Sequence, residues 1–172
     1  MGIYARHTKV SYKKTLKEIE HILFKYGVRK MNCQEDREKG RATLTFKVDK
    51  RTVRFNAPLP KPTDDNIVYT PSMKHERDER LQRRFYIQAI NQRWRAMALA
   101  IKSRFVRLED KVISFDEEFL GNIVFANGKT LTEMVAPHVD SMTKNGELAA
   151  KLELPFANIK SIKALTSELH HN

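Results

Sequence analysis

Hydrophobic and polar positions along this chain alternate with two different periods, and the switches between them outline the fold. In SYKKTLKEIEHILFKYG, residues 11–27, Leu16, Ile19, Ile22, Leu23 and Tyr26 recur at helical spacing. The stripe predicts an amphipathic helix, with Ser11 placed to cap its start and Gly27 to end it. Lys13, Lys14 and Lys17 crowd the first turns, where they oppose the helix dipole. Residues 28–40, VRKMNCQEDREKG, carry no clear period: the first half fits a short strand and the charged second half a loop.

The period then drops to two. Leu44, Phe46 and Val48 alternate with Thr43, Thr45 and Lys47, and after Asp49-Lys50-Arg51 the residues Val53, Phe55 and Ala57 alternate with Thr52, Arg54 and Asn56. This is the signature of an antiparallel hairpin with one buried and one solvated face. Pro58 and Pro60 end it. Residues 58–74 hold four prolines and no periodicity, which marks a hinge or linker.

From Lys74 to Val112 the pattern is helical, uninterrupted by Gly or Pro. An unbroken helix of that length reaches roughly 50 Å or more. Ile90, Trp94, Met97, Ala98, Ile101, Phe105, Leu108 and Val112 share one face, with Leu81, Phe85, Ala96 and Leu99 nearly opposite. A helix with two apolar faces is expected to be packed on both. Ser114 with Glu117, and Thr130 with Glu133, have capping-box spacing and predict two further helices. Asn127-Gly128 is a tight-turn signal between them, and Pro137 should kink or restart the second helix. The last segment, NIKSIKALTSEL, shows rough helical spacing.

These elements predict an α+β fold: an N-terminal helix and a small antiparallel sheet packed on a long central helix, with a helical C-terminal part. The expected organisation is one domain over 1–155, with a hinge or linker at 58–74, and a C-terminal helical tail over 156–172.

Charge changes the picture. The net charge is +11 in 172 residues, and residues 1–57 carry 15 Lys and Arg against 6 Asp and Glu. Residues 74–111 carry 11 against 5, whereas 112–155 carry 3 against 7. A basic N-terminal part and central helix favour polyanionic partners. Candidate nucleic-acid-binding residues are Lys47 and Arg54 on the hairpin and Lys50 and Arg51 at its turn. Arg93, Arg95, Lys102, Arg104 and Arg107 on the flanks of the long helix complete the set. Nothing in this set encodes a base readout, so binding is expected to tolerate any sequence. Phe46 and Phe55 alternate inward, which leaves the solvated hairpin face without stacking rings.

Other chemistry has little support. The single Cys33 cannot form an internal disulfide, which suits a reducing compartment. The opening MGIYARHTKV has no apolar leader stretch, and no apolar run is long enough to span a membrane. The six histidines make no H-x-H or H-E-x-x-H pattern, so no metal site is expected, and no phosphate loop, dinucleotide fingerprint or nucleophile elbow occurs. No catalytic residue and no cofactor is assigned. The acids Glu109, Asp110, Asp116, Glu117 and Glu118 leave one enzymatic alternative, a metal-dependent nuclease.

The blocks VRFNAPLP, RWRAMALAIK and FDEEFLGNIVFANGKT, with the opening IYARHTKVSYKKTLKEIEHILFKYG, occur here in order over most of residues 3–140. Together they resemble a widespread family of small bacteriophage and prophage proteins with no established activity. The resemblance carries over no residue role. It implies a phage-encoded protein in the cytoplasm of an infected bacterial cell, expressed with DNA-metabolism genes. The lysine-rich composition and the ANIKSIKALTSELHHN tail depart from the family's usual pattern.

The expected function is therefore non-enzymatic, sequence-tolerant nucleic-acid binding in phage replication, recombination or genome handling, with DNA before RNA as partner. The alternative is a protein-interaction module that inhibits or redirects a host defence or polymerase component. A host or phage replication protein, and a second copy of the chain joined through the long helix or the tail, are further expected partners. A membrane is not.

Overall fold

The structure is a computed structural model that describes residues 4–73 and 75–139. The chain divides into two compact units, Met1–Leu120 and Gly121–Asn172. The expected tail, 156–172, lies outside the described residues.

The first unit is mixed α and β, as the two periods predict. Helix α1 spans Tyr12–Lys25. Ser11 caps it through its hydroxyl, which accepts from the Lys14 amide at 3.3 Å. Gly27 follows with φ +83°, a conformation that glycine adopts at no steric cost. The Val28 amide returns to the Leu23 carbonyl at 3.1 Å, closing a Schellman turn. Ile19 and Leu23 are buried and Leu16, Ile22 and Tyr26 half-buried, so the apolar stripe faces the core.

Three strands follow: β1 Met31–Asp36, β2 Arg41–Val48 and β3 Arg51–Pro58, in the order β1-β2-β3 and antiparallel throughout. The ambiguous 28–40 segment thus supplies a third strand. Asp49 and Lys50 join β2 to β3, and of the two only Asp49 has a positive φ, +51°. A two-residue connection of this kind joins the strands of a tight hairpin.

The stretch 58–74 contains regular structure. Asp65–Val68 form the short helix α2, and Ile67 is buried. Tyr69 bridges Glu76, the Thr70 amide donates to the His75 carbonyl at 2.9 Å, and the Arg77 amide donates to the Val68 carbonyl at 2.8 Å. These pairings keep 75–77 out of helix, so the long helix α3 starts later than its pattern suggests. It spans Glu79–Glu109, 31 residues, or about 46 Å. Asp78 caps it, accepting from the Leu81 amide at 2.8 Å. It ends in a second Schellman turn, with Lys111 at φ +54° and the Val112 amide bonded to Arg107 at 3.0 Å. Val112, expected on its core face, lies beyond its end and is exposed.

One face of α3 is buried: Ile90, Trp94, Ala98, Ile101 and Phe105. The second apolar face is not. Phe85 and Leu99 are exposed, as is Val106. Leu81 and Ala96 of that face are half-buried, and within one copy the sheet and α1 lie on the Trp94 side. Helix α4, Phe115–Phe119, closes this unit. Its Phe119 joins Phe46 and Phe55 of the sheet and Phe105 of α3 in one ring cluster, with centroids 5.4–6.4 Å apart.

In the second unit Val124 bridges Thr130 around a turn in which Gly128 has φ +75°. The Lys129 amide donates to the Asn127 side-chain carbonyl at 3.0 Å. Thr130 and Glu133 form the expected capping box at the start of α5, Leu131–Val135. At Pro137 the α-helix gives way to a 3₁₀ turn, Ala136–His138.

Candidate nucleic-acid interface

Strand register sorts the hairpin side chains onto two faces. The inward set includes Leu44, Phe46, Val53 and Phe55, with Met31, Cys33 and Glu35 of β1 paired beside it. The outward set forms cross-strand rows: Asn32, Thr45 and Arg54; Gln34, Thr43 and Asn56; Asp36, Arg41 and Pro58; Lys47 and Thr52. Thr43 donates its hydroxyl to the Asn56 side-chain oxygen at 3.2 Å. This outward face carries no aromatic ring among the described residues.

Its cations are Arg41, Lys47 and Arg54. Arg41 and Lys47 are exposed and lie six residues apart on β2, about 20 Å along the strand. Arg54 is half-buried and sits level with Thr45 between them. Asp36 is the one acid in these rows, at the edge beside Arg41. The Lys39 amide donates to it at 2.9 Å and holds its carboxyl below the usual range. Lys50 extends the basic line into the turn.

The nine candidate residues do not converge on one surface. Lys47 and Arg54 point away from α3, because Phe46 and Phe55 on the same strands face Phe105 and Phe119. Arg51 pairs with Val48 in register and so falls on the inward side, where it grips Asp116 of α4 with two bonds of 2.6 and 2.7 Å. Arg95 pairs with Glu18, tying α3 to α1. Arg104 lies over the rings of Phe55 and Phe119 at 5.0 and 5.7 Å, and burial pushes its pKa down. Glu118 accepts from Arg107 at 2.6 Å and lies 3.4 Å from Arg104, with its own side chain only 3% exposed. Arg51, Arg95, Arg104 and Arg107 thus hold elements together. Arg93 and Lys102 remain exposed on α3, with no ion pair among the described residues.

Four of the five acids of the nuclease alternative are engaged as well. Glu109 accepts from the Tyr26 hydroxyl at 2.7 Å, which raises the Tyr26 pKa. Asp116 holds Arg51, Glu118 holds Arg107, and Glu117 closes the capping box with Ser114. No group of three or more His, Cys, Asp or Glu side chains among the described residues is placed to hold a metal ion. Nor is any described helix long and apolar enough to cross a membrane.

The sequence reading missed Arg41, Asn32 and Gln34. The last two belong to β1, whose alternation is masked by Glu35 on the inward side. Arg41 continues the outward parity of Thr43, Thr45 and Lys47, and that parity was the available signal. Comparison of the chain with protein families, curated proteins and solved structures finds no match.

Proposed function

We propose that this chain is a non-enzymatic, sequence-tolerant nucleic-acid-binding protein that works in the phage setting its resemblance implies. The carrying observation is the outward sheet face: Arg41, Arg54 and Lys47 spread along about 20 Å among Thr, Asn and Gln side chains, with a single acid at the edge. Guanidinium and ammonium groups take phosphate oxygens, and small hydroxyl and amide side chains let a backbone approach closely. With Phe46 and Phe55 buried on the other face, the platform contacts phosphates and sugars and does not stack bases.

The test is a fluorescence-anisotropy titration with single- and double-stranded oligonucleotides at two salt concentrations. Three or four neutralised phosphates give a slope of about −3 in log K against log salt on duplex DNA. An absence of binding at low salt, or binding indifferent to salt, overturns this reading.

The exposed apolar residues Leu99 and Val106 on α3 favour a second reading, a surface for another protein. A partner retained stoichiometrically from nuclease-treated lysate, and lost with Leu99→Glu, supports it. Loss of every partner on nuclease treatment counts against it.

A further inference from the structure

Within the first unit, a pocket of about 760 Å³ opens between the N-terminal segment, the α2 turn and α3. That volume suits a small ligand. Ile67, Pro71, Phe85 and Ala89 give it an apolar wall, and Arg6, Lys9 and Arg84 bring cationic side chains to it. His7 also lines it, and none of the lining residues is acidic.

The walls are built, not incidental. The Gln88 side-chain amide donates to the carbonyls of Arg6 and Thr8 at 2.8 and 3.1 Å, and that of Gln92 donates to the Tyr4 carbonyl at 2.8 Å. Those bonds pin the N-terminal segment along α3. Arg77 Nη1 donates to the carbonyls of Asn66 and Ile67 at 3.1 and 2.9 Å, and its guanidinium lies 4.2 Å from the Phe85 ring centre. One arginine thereby braces both the α2 wall and the aromatic wall. Phe85 is 39% exposed although it is clamped from behind, so its remaining surface is presented to the pocket and to solvent.

We propose that this pocket binds one nucleotide unit, its base against Phe85, Ile67 and Ala89 and its phosphate on Arg6, Lys9 and Arg84. An aromatic wall beside a cluster of cations matches a ligand with a flat ring and an anionic group. The apolar wall alone would take a neutral ring, and the cations alone any anion. Their conjunction selects the nucleotide. The same chemistry comes from a free mononucleotide or from the 5′-phosphorylated end of a strand. The pocket is separate from the sheet face, so each reading can fail without the other.

The experiment is an amide NMR titration of the full chain with AMP, with adenosine, and with an oligonucleotide bearing either a 5′-phosphate or a 5′-hydroxyl. AMP should shift the Phe85, Gln88 and Ala89 amides, and adenosine should bind about tenfold or more weakly for want of charge-assisted bonds. Among the described residues the exposed Arg84 has no side-chain hydrogen bond, so Arg84→Ala should keep the fold and still weaken AMP about tenfold. Arg54→Glu should leave AMP binding unchanged while it weakens strand binding on the sheet. A preference of the oligonucleotide for its 5′-phosphate assigns the site to strand ends, and no preference assigns it to the free nucleotide. Absence of shifts at these amides with both AMP and the phosphorylated strand overturns the proposal. So does equal affinity for AMP and adenosine, or an Arg84→Ala variant that binds AMP as well as the parent.

Discussion

Asn91 of α3 accepts the backbone amide of Tyr12, the first residue of α1, at 2.7 Å. The long helix therefore caps the short one from a distance of 79 positions in the chain. Ser11 already serves the Lys14 amide, so two of the four unpaired amides at that helix start are met by side chains. Asn91 is nearly buried, and without it the Tyr12 amide loses its partner away from water. Asn91→Ala should cost about 1–3 kcal/mol in urea unfolding followed by circular dichroism. Asn91→Asp keeps an acceptor and should cost less.

Two exposed turns place the wrong residue in a left-handed conformation. Asp49 and Lys111 have φ +51° and +54°. Asp49→Gly and Lys111→Gly should each raise stability, by about 0.5–1 kcal/mol, seen as a higher urea midpoint. Gly40 is the reverse case, with φ +62° and a would-be Cβ 2.9 Å from Lys61 Cγ and 3.0 Å from the Leu59 carbonyl oxygen. Gly40→Ala should destabilise by about 1 kcal/mol or more in the same assay.

Glu118 is the anionic centre of the α3–α4 junction. Its Oε2 has no hydrogen-bond partner among the described residues, and its Oε1 serves Arg107 and Arg104. Removing it takes one carboxylate from Arg104, which is partly buried beside Phe55 and Phe119. Glu118→Gln should destabilise by about 1–3 kcal/mol, less than a fully buried pair because Arg107 is half-exposed. Adding Arg104→Met should recover part of the loss, which a double-mutant cycle measures.

Affinity and stability should separate among the basic residues. Arg54→Glu and Lys47→Glu should each weaken oligonucleotide binding about tenfold at low salt and flatten its salt slope. Arg51→Ala and Arg95→Ala should instead lower the urea midpoint, because their guanidinium groups hold Asp116 and Glu18. Equal affinity losses from both pairs would argue against the sheet face as the interface.

Cys33 gives a pH signature. Burial first, and the Glu35 carboxylate second, push its thiol up to about 11 from an ordinary 9.0. The folded chain thus holds this proton while the unfolded chain releases it. Stability is unaffected by the group below pH 9 and falls as pH rises from 9 toward 11. Alkylation by iodoacetamide near neutral pH should be slower than for a free thiol, and Cys33→Ser should flatten the alkaline fall.

Local signals were the legible ones. Ser11 and Gly27 bound α1 because a hydroxyl cap and a left-handed glycine are written in single residues. Phe46 and Phe55 are buried because strict alternation leaves them no other face. Both capping boxes, at Ser114 and Thr130, formed as their spacing required. What was not legible depends on pairing at long range. β1 has little pattern of its own and becomes a strand because β2 offers it an edge. Residues 75–77 have a helical pattern and are drawn out of helix by the bridge to Tyr69. Likewise no period reveals that Arg51, Arg95, Arg104 and Arg107 each find an acid, because those acids lie on other elements or beyond a turn. The candidate site was therefore legible as charge and not as surface: Lys47 and Arg54 were named and Arg41 was not, and the acid partners of the other arginines divided the set.

Trp94 sits 1% exposed on the core side of α3, while Lys47 and Arg54 lie on the sheet face turned away from that core. The chain's one indole is therefore a spectroscopic reporter of packing that is deaf to the sheet's outer surface. Its emission should begin blue-shifted and move red on unfolding, yet stay still while a strand settles on the threonine rows. A quenching titration that relied on it would return silence from a protein that was fully occupied.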